Sequence, residues 1–117
     1  MIELLPKHCH VSFLKTIIGS KFVFTDEENL LIYSKDETED LLYPPEIVVK
    51  PKTTNEVARI MIYCNEQRIP ITPCGARTGL SGGSLPINGG IALSLERWNS
   101  IIEIDERNLQ VTVEPGV

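Results

Sequence analysis

Between Ile47 and Pro73 the period of the hydrophobic pattern changes twice, and this limits the folds open to the chain. Ile47-Val48-Val49 is a β-branched run of strand type, closed by Pro51. Thr53 and Glu56 then form a capping box. Val57, Ile60, Met61 and Cys64 recur at helical spacing as one apolar face, with Arg68 near the helix end. Pro70 forbids continuation of that helix, and Ile69-Pro-Ile71-Thr-Pro73 reads as a second strand. Strand, crossover helix and strand make a βαβ unit, whose two strands run parallel.

The flanking segments extend this unit. Val11, Leu14 and Ile18, with Gly19 behind them, predict a first helix. Thr25 with Glu28 repeats the capping-box pattern ahead of Leu30 and Leu31, predicting a short second helix. Ser34 to Asp40 is a polar loop in which Asp36, Glu37, Glu39 and Asp40 form a solvated face, and Pro44-Pro45 ends it. Downstream, Ile91-Ala-Leu93-Ser-Leu95 alternates as a third strand. Ile101 to Ile104 and Gln110 to Val113 flank Asp105-Glu106-Arg107-Asn108 as a hairpin. The predicted class is α+β: an N-terminal helical segment over residues 1–40, then a βαβ unit with a small, mostly parallel sheet, a glycine loop and a β-hairpin over residues 41–117. The ending Glu114-Pro115-Gly116-Val117 follows a strand with no closing element, as expected of the first part of a larger domain.

Composition excludes several classes. Sixteen acidic side chains against eleven Lys and Arg give a net charge of -5, the wrong sign for a general nucleic-acid binder, and no basic stripe offsets it. No apolar run approaches the ~20 residues that span a bilayer. The N-terminal apolar residues give way at Pro6, Lys7 and His8, unlike a signal peptide. Cys9, Cys64 and Cys74 are an odd set without framework spacing, which fits a reducing cytoplasm. His8-Cys9-His10 lacks the further ligands of a zinc motif and reads as a surface segment leading into the first helix.

The loop from Cys74 to Asn88 holds four of the eight glycines and carries the functional signal. Gly75, Gly79, Gly82 and Gly83 permit positive φ and close approach of a ligand. Converging N–H groups there can form an anion-binding nest, with Thr78, Ser81 and Ser84 as hydroxyl donors and Arg77 as a charged one. A Walker A loop is excluded because no Lys follows Lys52. A Rossmann fingerprint is excluded because Gly75 is followed by Ala76 and Arg77, and because the loop leads into a strand. A strand-loop-strand anion nest remains, beside a mobile Gly/Ser connection without a ligand. Val57, Ile60, Met61 and Cys64 are core, and Trp98 is a wedge between strands.

Several segments in order carry a family resemblance: Tyr33-Ser-Lys-Asp36, Pro45-Glu-Ile-Val-Val-Lys-Pro51, Thr54-Asn-Glu-Val57, Ile69-Pro-Ile71 and Thr78-Gly-Leu-Ser-Gly-Gly-Ser84. Gly89-Gly-Ile91, Leu95-Glu-Arg-Trp-Asn99, Ile102-Glu-Ile-Asp105 and Val113-Glu-Pro-Gly-Val117 continue it. From Tyr33 to Val117 the chain resembles the FAD-binding domain shared by p-cresol methylhydroxylase and vanillyl-alcohol oxidase. Within that superfamily it is similar to the branch of glycolate oxidase and D-lactate dehydrogenase.

The resemblance implies that Gly75, Ala76, Arg77, Thr78, Gly79 and Leu80 wrap the FAD pyrophosphate, with Cys74 at the loop's mouth. It also implies that Ser84 lies nearby, that Pro73 fixes the loop's entry and that the Pro115-Gly116 turn approaches the cofactor. The family has Arg where this chain has Cys74 and Gly where it has Arg77. No His stands where covalently flavinylated relatives place one, so the resemblance implies non-covalent FAD. It further implies oxidation of a small 2-hydroxyacid by the larger protein, with no catalytic residue inside this chain. The rival expectation is a stand-alone, non-catalytic domain that binds a nucleotide or a partner, or a truncated remnant. For the chain by itself, a homodimer through the hairpin is expected.

Overall fold

The computed structural model describes residues 5–38 and 40–117; Glu39 of the acidic loop lies outside the described residues. Helix α1 (Lys7–Ile18) leads through a one-turn 3-10 helix at Ser20–Phe22 into β1 (Val23–Phe24) and α2 (Glu27–Ile32). The βαβ unit follows as β2 (Ile47–Val49), α3 (Thr54–Gln67) and β3 (Ile71–Cys74). After it come β4 (Ile91–Ser94) and the hairpin β5 (Ile101–Asp105) with β6 (Gln110–Val113). The α+β class is therefore observed: a four-stranded, mostly parallel sheet with helices, and a separate antiparallel hairpin.

Strand order is β1-β2-β4-β3, so β2 and β3 are parallel but do not touch, because β4 lies between them and pairs in parallel with both. Ile91 faces Ile47 on one side and Ile71 on the other; Ala92 faces Val48 and Thr72. β3 is thus an edge strand, a place in a sheet that tolerates a proline such as Pro73. β1 pairs antiparallel with β2, a two-residue strand too short for sequence periodicity to reveal.

Both faces of the sheet are covered, which explains why β2 and β4 are buried throughout and apolar except at Ser94. On one face Ile47, Val49, Ile91 and Leu93 meet Leu14, Ile17 and Ile18 of α1 and Ile60 and Cys64 of α3. On the other, Val48, Ala92 and Cys74 meet Tyr33, with Leu30 of α2 packed alongside. The N-terminal elements and the βαβ unit therefore share one core.

Local chemistry sets the helix boundaries. The Thr53–Glu56 capping box is complete, and Arg68 ends α3 in the left-handed conformation. The buried stripe of α3 is Ile60, Tyr63 and Cys64. Met61 is 46% exposed, because a stripe centred on Tyr63 leaves position 61 on the outer flank. The cap of α2 is Asp26 rather than Thr25: its carboxylate accepts from the Asn29 backbone N–H at 3.1 Å, an ion–amide bond that a Thr hydroxyl does not match. His8-Cys9-His10 lies inside α1, and His10 is a core residue, its Nδ1 2.6 Å from the Tyr63 hydroxyl.

Backbone approaches at two glycines close the sheet. A Cβ on Gly90 would lie 2.1 Å from the Pro70 carbonyl oxygen at φ +72°, and one on Gly116 would lie 2.0 Å from that of Leu95. Gly19 also has positive φ, but with open space around it. Gly90→Ala is expected to cost about 2–3 kcal/mol and Gly19→Ala only about 1 kcal/mol in urea unfolding. Equal losses in the two variants would contradict this backbone packing.

Candidate functional site

Because β2, β3 and β4 are parallel, their carboxyl ends lie on one side, where open α/β sheets bind ligands. Lys50 leaves β2 there, Gly75 leaves β3, and Leu95-Glu96 leaves β4. The glycine loop lines an open depression of about 370 Å³ through Gly75 to Ser81, Gly83 and Ser84, with Asp36 on its wall. Pro73 and Cys74 form the end of β3 that feeds the loop. The Pro115 carbonyl lies 3.4 Å from where a Gly75 Cβ would stand, and Gly116 donates to the Trp98 carbonyl at 2.7 Å. The sequence-predicted positions are thus brought together at one end of the sheet, with Leu80 projecting 75% exposed.

The loop's conformation departs from the glycine pattern. Within it positive φ falls on Gly82 and on Arg77, at φ 59°, while Gly75, Gly79 and Gly83 take other conformations. The left-handed region costs a side-chain-bearing residue about 1–2 kcal/mol. The Arg77 guanidinium offsets this by donating from Nη1 to the Ile32 carbonyl at 2.8 Å and lying 4.7 Å from the Tyr33 ring centroid. Such cation–π contacts contribute about 0.5–2 kcal/mol. Tyr33 is 2% exposed, and its hydroxyl donates to Glu96, which also accepts from Ser94 at 2.9 Å and pairs with Lys50 at 3.2 Å.

Buried polar atoms without partners concentrate here. Of the five such side-chain atoms among the described residues, four (Asp36 Oδ2, Thr38 Oγ1, Arg77 Nε and Ser84 Oγ) belong to the loop or to the segment bonded to it through Glu37 N–H and the Gly79 carbonyl. Native proteins leave few such groups, and a cluster of them marks a place where something else completes the bonding. Ser84, Thr38 and Arg77 supply donors that suit phosphate oxygens; the Asp36 carboxylate suits a hydroxyl. These residues therefore fit a phosphate-bearing cofactor with hydroxyl groups. Hydroxyls at Thr78 and Ser81 stand on exposed residues.

Electrostatics separates the remaining groups. Burial works to raise the Glu96 carboxyl, but hydrogen bonds from Tyr33, Ser94 and Lys50 outweigh it and hold the group below the usual carboxylate range. A backbone hydrogen bond from Thr38 likewise holds Asp36 low. Burial pushes the Cys74 thiol up to about 11, against a smaller downward pull from Arg77, so it is an inert core group. Trp98 is half-buried and donates from Nε1 to the Pro51 carbonyl at 3.0 Å, joining the ends of β2 and β4. No group of three potential metal ligands occurs among the described residues. Sequence reasoning missed Lys50 and Glu96, which stand one and two residues past their strands; an ionic side chain within two residues of a strand's end was the available signal.

The family model for the FAD binding domain matches residues 45–117, and the chain belongs to that family. It is 46% identical over 87 residues to glycolate oxidase subunit GlcD of Bacillus subtilis, covering 74% of this chain and 18% of the relative. It is 37% identical over 117 residues to D-lactate dehydrogenase of Anaerostipes hadrus, covering 98% of this chain and 23% of the relative. The crystal structure of p-cresol methylhydroxylase with substrate bound superimposes with a TM-score of 0.78 at 28% identity, over 94% of this chain and 22% of that one. The chain therefore spans about a fifth of the length of these relatives.

Two outcomes follow from the site's charges. Cys64, also raised to about 11 by burial, and Cys74 are expected to resist a thiol reagent in the native state, leaving the half-buried Cys9 as the one fast thiol. Three equal rates would contradict the burial. A carboxylate depressed in the folded state adds stability above its unfolded value of about 4.5, and that stability is lost as pH falls through the lower folded value. Glu96→Gln is thus expected to destabilise at about pH 6 and to differ less from the parent at about pH 3. A gap that widens on acidification would contradict the Glu96 network.

Proposed function

We propose that the glycine loop holds the pyrophosphate of FAD without a covalent bond, within a larger oxidoreductase acting on small 2-hydroxyacids such as lactate or glycolate. The observation that carries this reading is that Asp36, Arg77 and Ser84, each with a buried polar atom lacking a partner, line one depression at the carboxyl ends of parallel strands. The substrate class is supported by the names of two relatives, a glycolate oxidase component and a D-lactate dehydrogenase. Gly75 to Leu80 would wrap the phosphates through backbone N–H groups, Ser84 would donate its hydroxyl, and Pro73 and Pro115-Gly116 would set the loop's entry and flank. When bound, FAD supplies the two-electron acceptor for the substrate's α-carbon; the protein's part is binding, orientation and electrostatics.

Residues 41–117 are read as the first part of the FAD-binding domain, with residues 1–40 as a helical segment against it. A cytoplasmic setting is consistent with the absence of a helix long and apolar enough to cross a membrane among the described residues. The hairpin exposes Ile102, Ile104, Leu109 and Val111 at 56% or more, and this apolar surface is the proposed contact between two copies of the chain.

Calorimetric titration with FAD tests the site. Ser84→Ala is expected to weaken binding about 5- to 10-fold, the worth of one hydrogen bond of about 1–1.5 kcal/mol. Unchanged affinity would remove Ser84 from the site. Acid precipitation is expected to release all the flavin; fluorescence that stays with the protein on a denaturing gel would contradict non-covalent attachment. Light scattering at micromolar concentration is expected to give a dimer that Ile104→Lys returns to monomer, and a monomeric parent would contradict the hairpin contact.

A further inference from the structure

We infer that Tyr33 is a positioning residue for the glycine loop and acts through Arg77. Arg77 is the one side-chain-bearing residue of the loop with positive φ, at 59°. Such a conformation persists for arginine only where neighbours determine it. Two neighbours do so: the Ile32 carbonyl at the end of α2 accepts from Nη1 at 2.8 Å, and the Tyr33 ring lies 4.7 Å from the guanidinium carbon. The guanidinium is therefore latched to the end of α2, and its charge is directed there.

Tyr33 is itself fixed. It is 2% exposed, its hydroxyl donates to Glu96 and lies 3.4 Å from Ser94, and Glu96 is held by Lys50 at 3.2 Å. A continuous line of contacts thus runs from the end of β2 at Lys50, through Glu96 beyond β4, to Tyr33 and into the loop at Arg77. A second tie, from Glu37 N–H to the Gly79 carbonyl at 3.1 Å, binds the same segment to the next turn of the loop. The segment after α2 is the mould against which the loop takes its shape. That mould needs a flat ring and a flat guanidinium, so Lys at position 77 does not replace Arg, whereas Phe at position 33 keeps the essential surface.

The inference deepens the FAD reading and rests on it for ligand affinity, but its first test needs no flavin. Trypsin cleaves after residue 77 only if the latch opens, and the exposed Arg107 in the hairpin serves as the internal reference. In FAD-free protein, cleavage at Arg77 is expected to be slow, and Tyr33→Leu and Arg77→Lys are expected to speed it about tenfold relative to Arg107. Tyr33→Phe, which keeps the ring and loses only the hydroxyl tie to Glu96, should stay closer to the parent than to Tyr33→Leu. FAD affinity should fall about tenfold in Tyr33→Leu and Arg77→Lys, no further in the double variant, and stay within about threefold of the parent in Tyr33→Phe. Because Tyr33 is in the core, Arg77→Lys decides the matter if Tyr33→Leu does not fold. Parent cleavage at Arg77 as fast as at Arg107, or unchanged cleavage in Arg77→Lys, would overturn the latch. A protected Arg77 in a full-length protein that binds no FAD would support the latch and defeat the FAD reading instead.

Discussion

The insertion of β4 between β2 and β3 is the constraint on which the rest of the structure depends. It buries Ile91, Ala92 and Leu93 against helices on both faces of the sheet. It also forces three chain segments to leave the sheet side by side: Lys50 from β2, Gly75 from β3 and Glu96 from β4. The site follows from that polarity. From the central β4, Glu96 reaches Tyr33 beside the glycine loop.

The loop's wall reverses the expected division of labour. In the sequence, Arg77 stands out as a charged donor aimed at an anion. In the structure its Nη1 is engaged by the Ile32 carbonyl and its ring partner is Tyr33, while Ser84, Thr38 and the Arg77 Nε are the unpartnered donors. Asp36 adds a carboxylate to the depression that Arg77 and Ser84 line. An anion bound in this loop would thus meet mainly uncharged dipoles, which suit a cofactor pyrophosphate flanked by hydroxyl groups better than a free phosphate in salt.

Elements with strong local signals were legible. The complete Thr53–Glu56 capping box, the β-branched Ile47–Val49 run and the hairpin turn at Asp105–Asn108 all give local bonds that the sequence displays. Features decided by distant partners were not. β1 is two residues long and exists because β2 offers it an edge. His10 is core because Tyr63 meets it from α3, 53 residues away. Strand order depends on which apolar strand is most completely covered, and single-strand patterns do not rank that. In the site, glycine content located the loop, but the positive φ at Arg77 arises from a carbonyl and a ring 45 and 44 residues upstream.

The central claim is that one depression, at the carboxyl ends of β2, β4 and β3, receives the phosphate portion of FAD. Amide shift mapping during titration of the protein with FAD measures this residue by residue. The account predicts the largest changes at the N–H groups of Gly75, Gly79, Gly83 and Ser84, with smaller ones at Gly116 and none in the hairpin around Asn108. Changes centred on the hairpin or on the outer face of α3, with the loop amides unmoved, would contradict it.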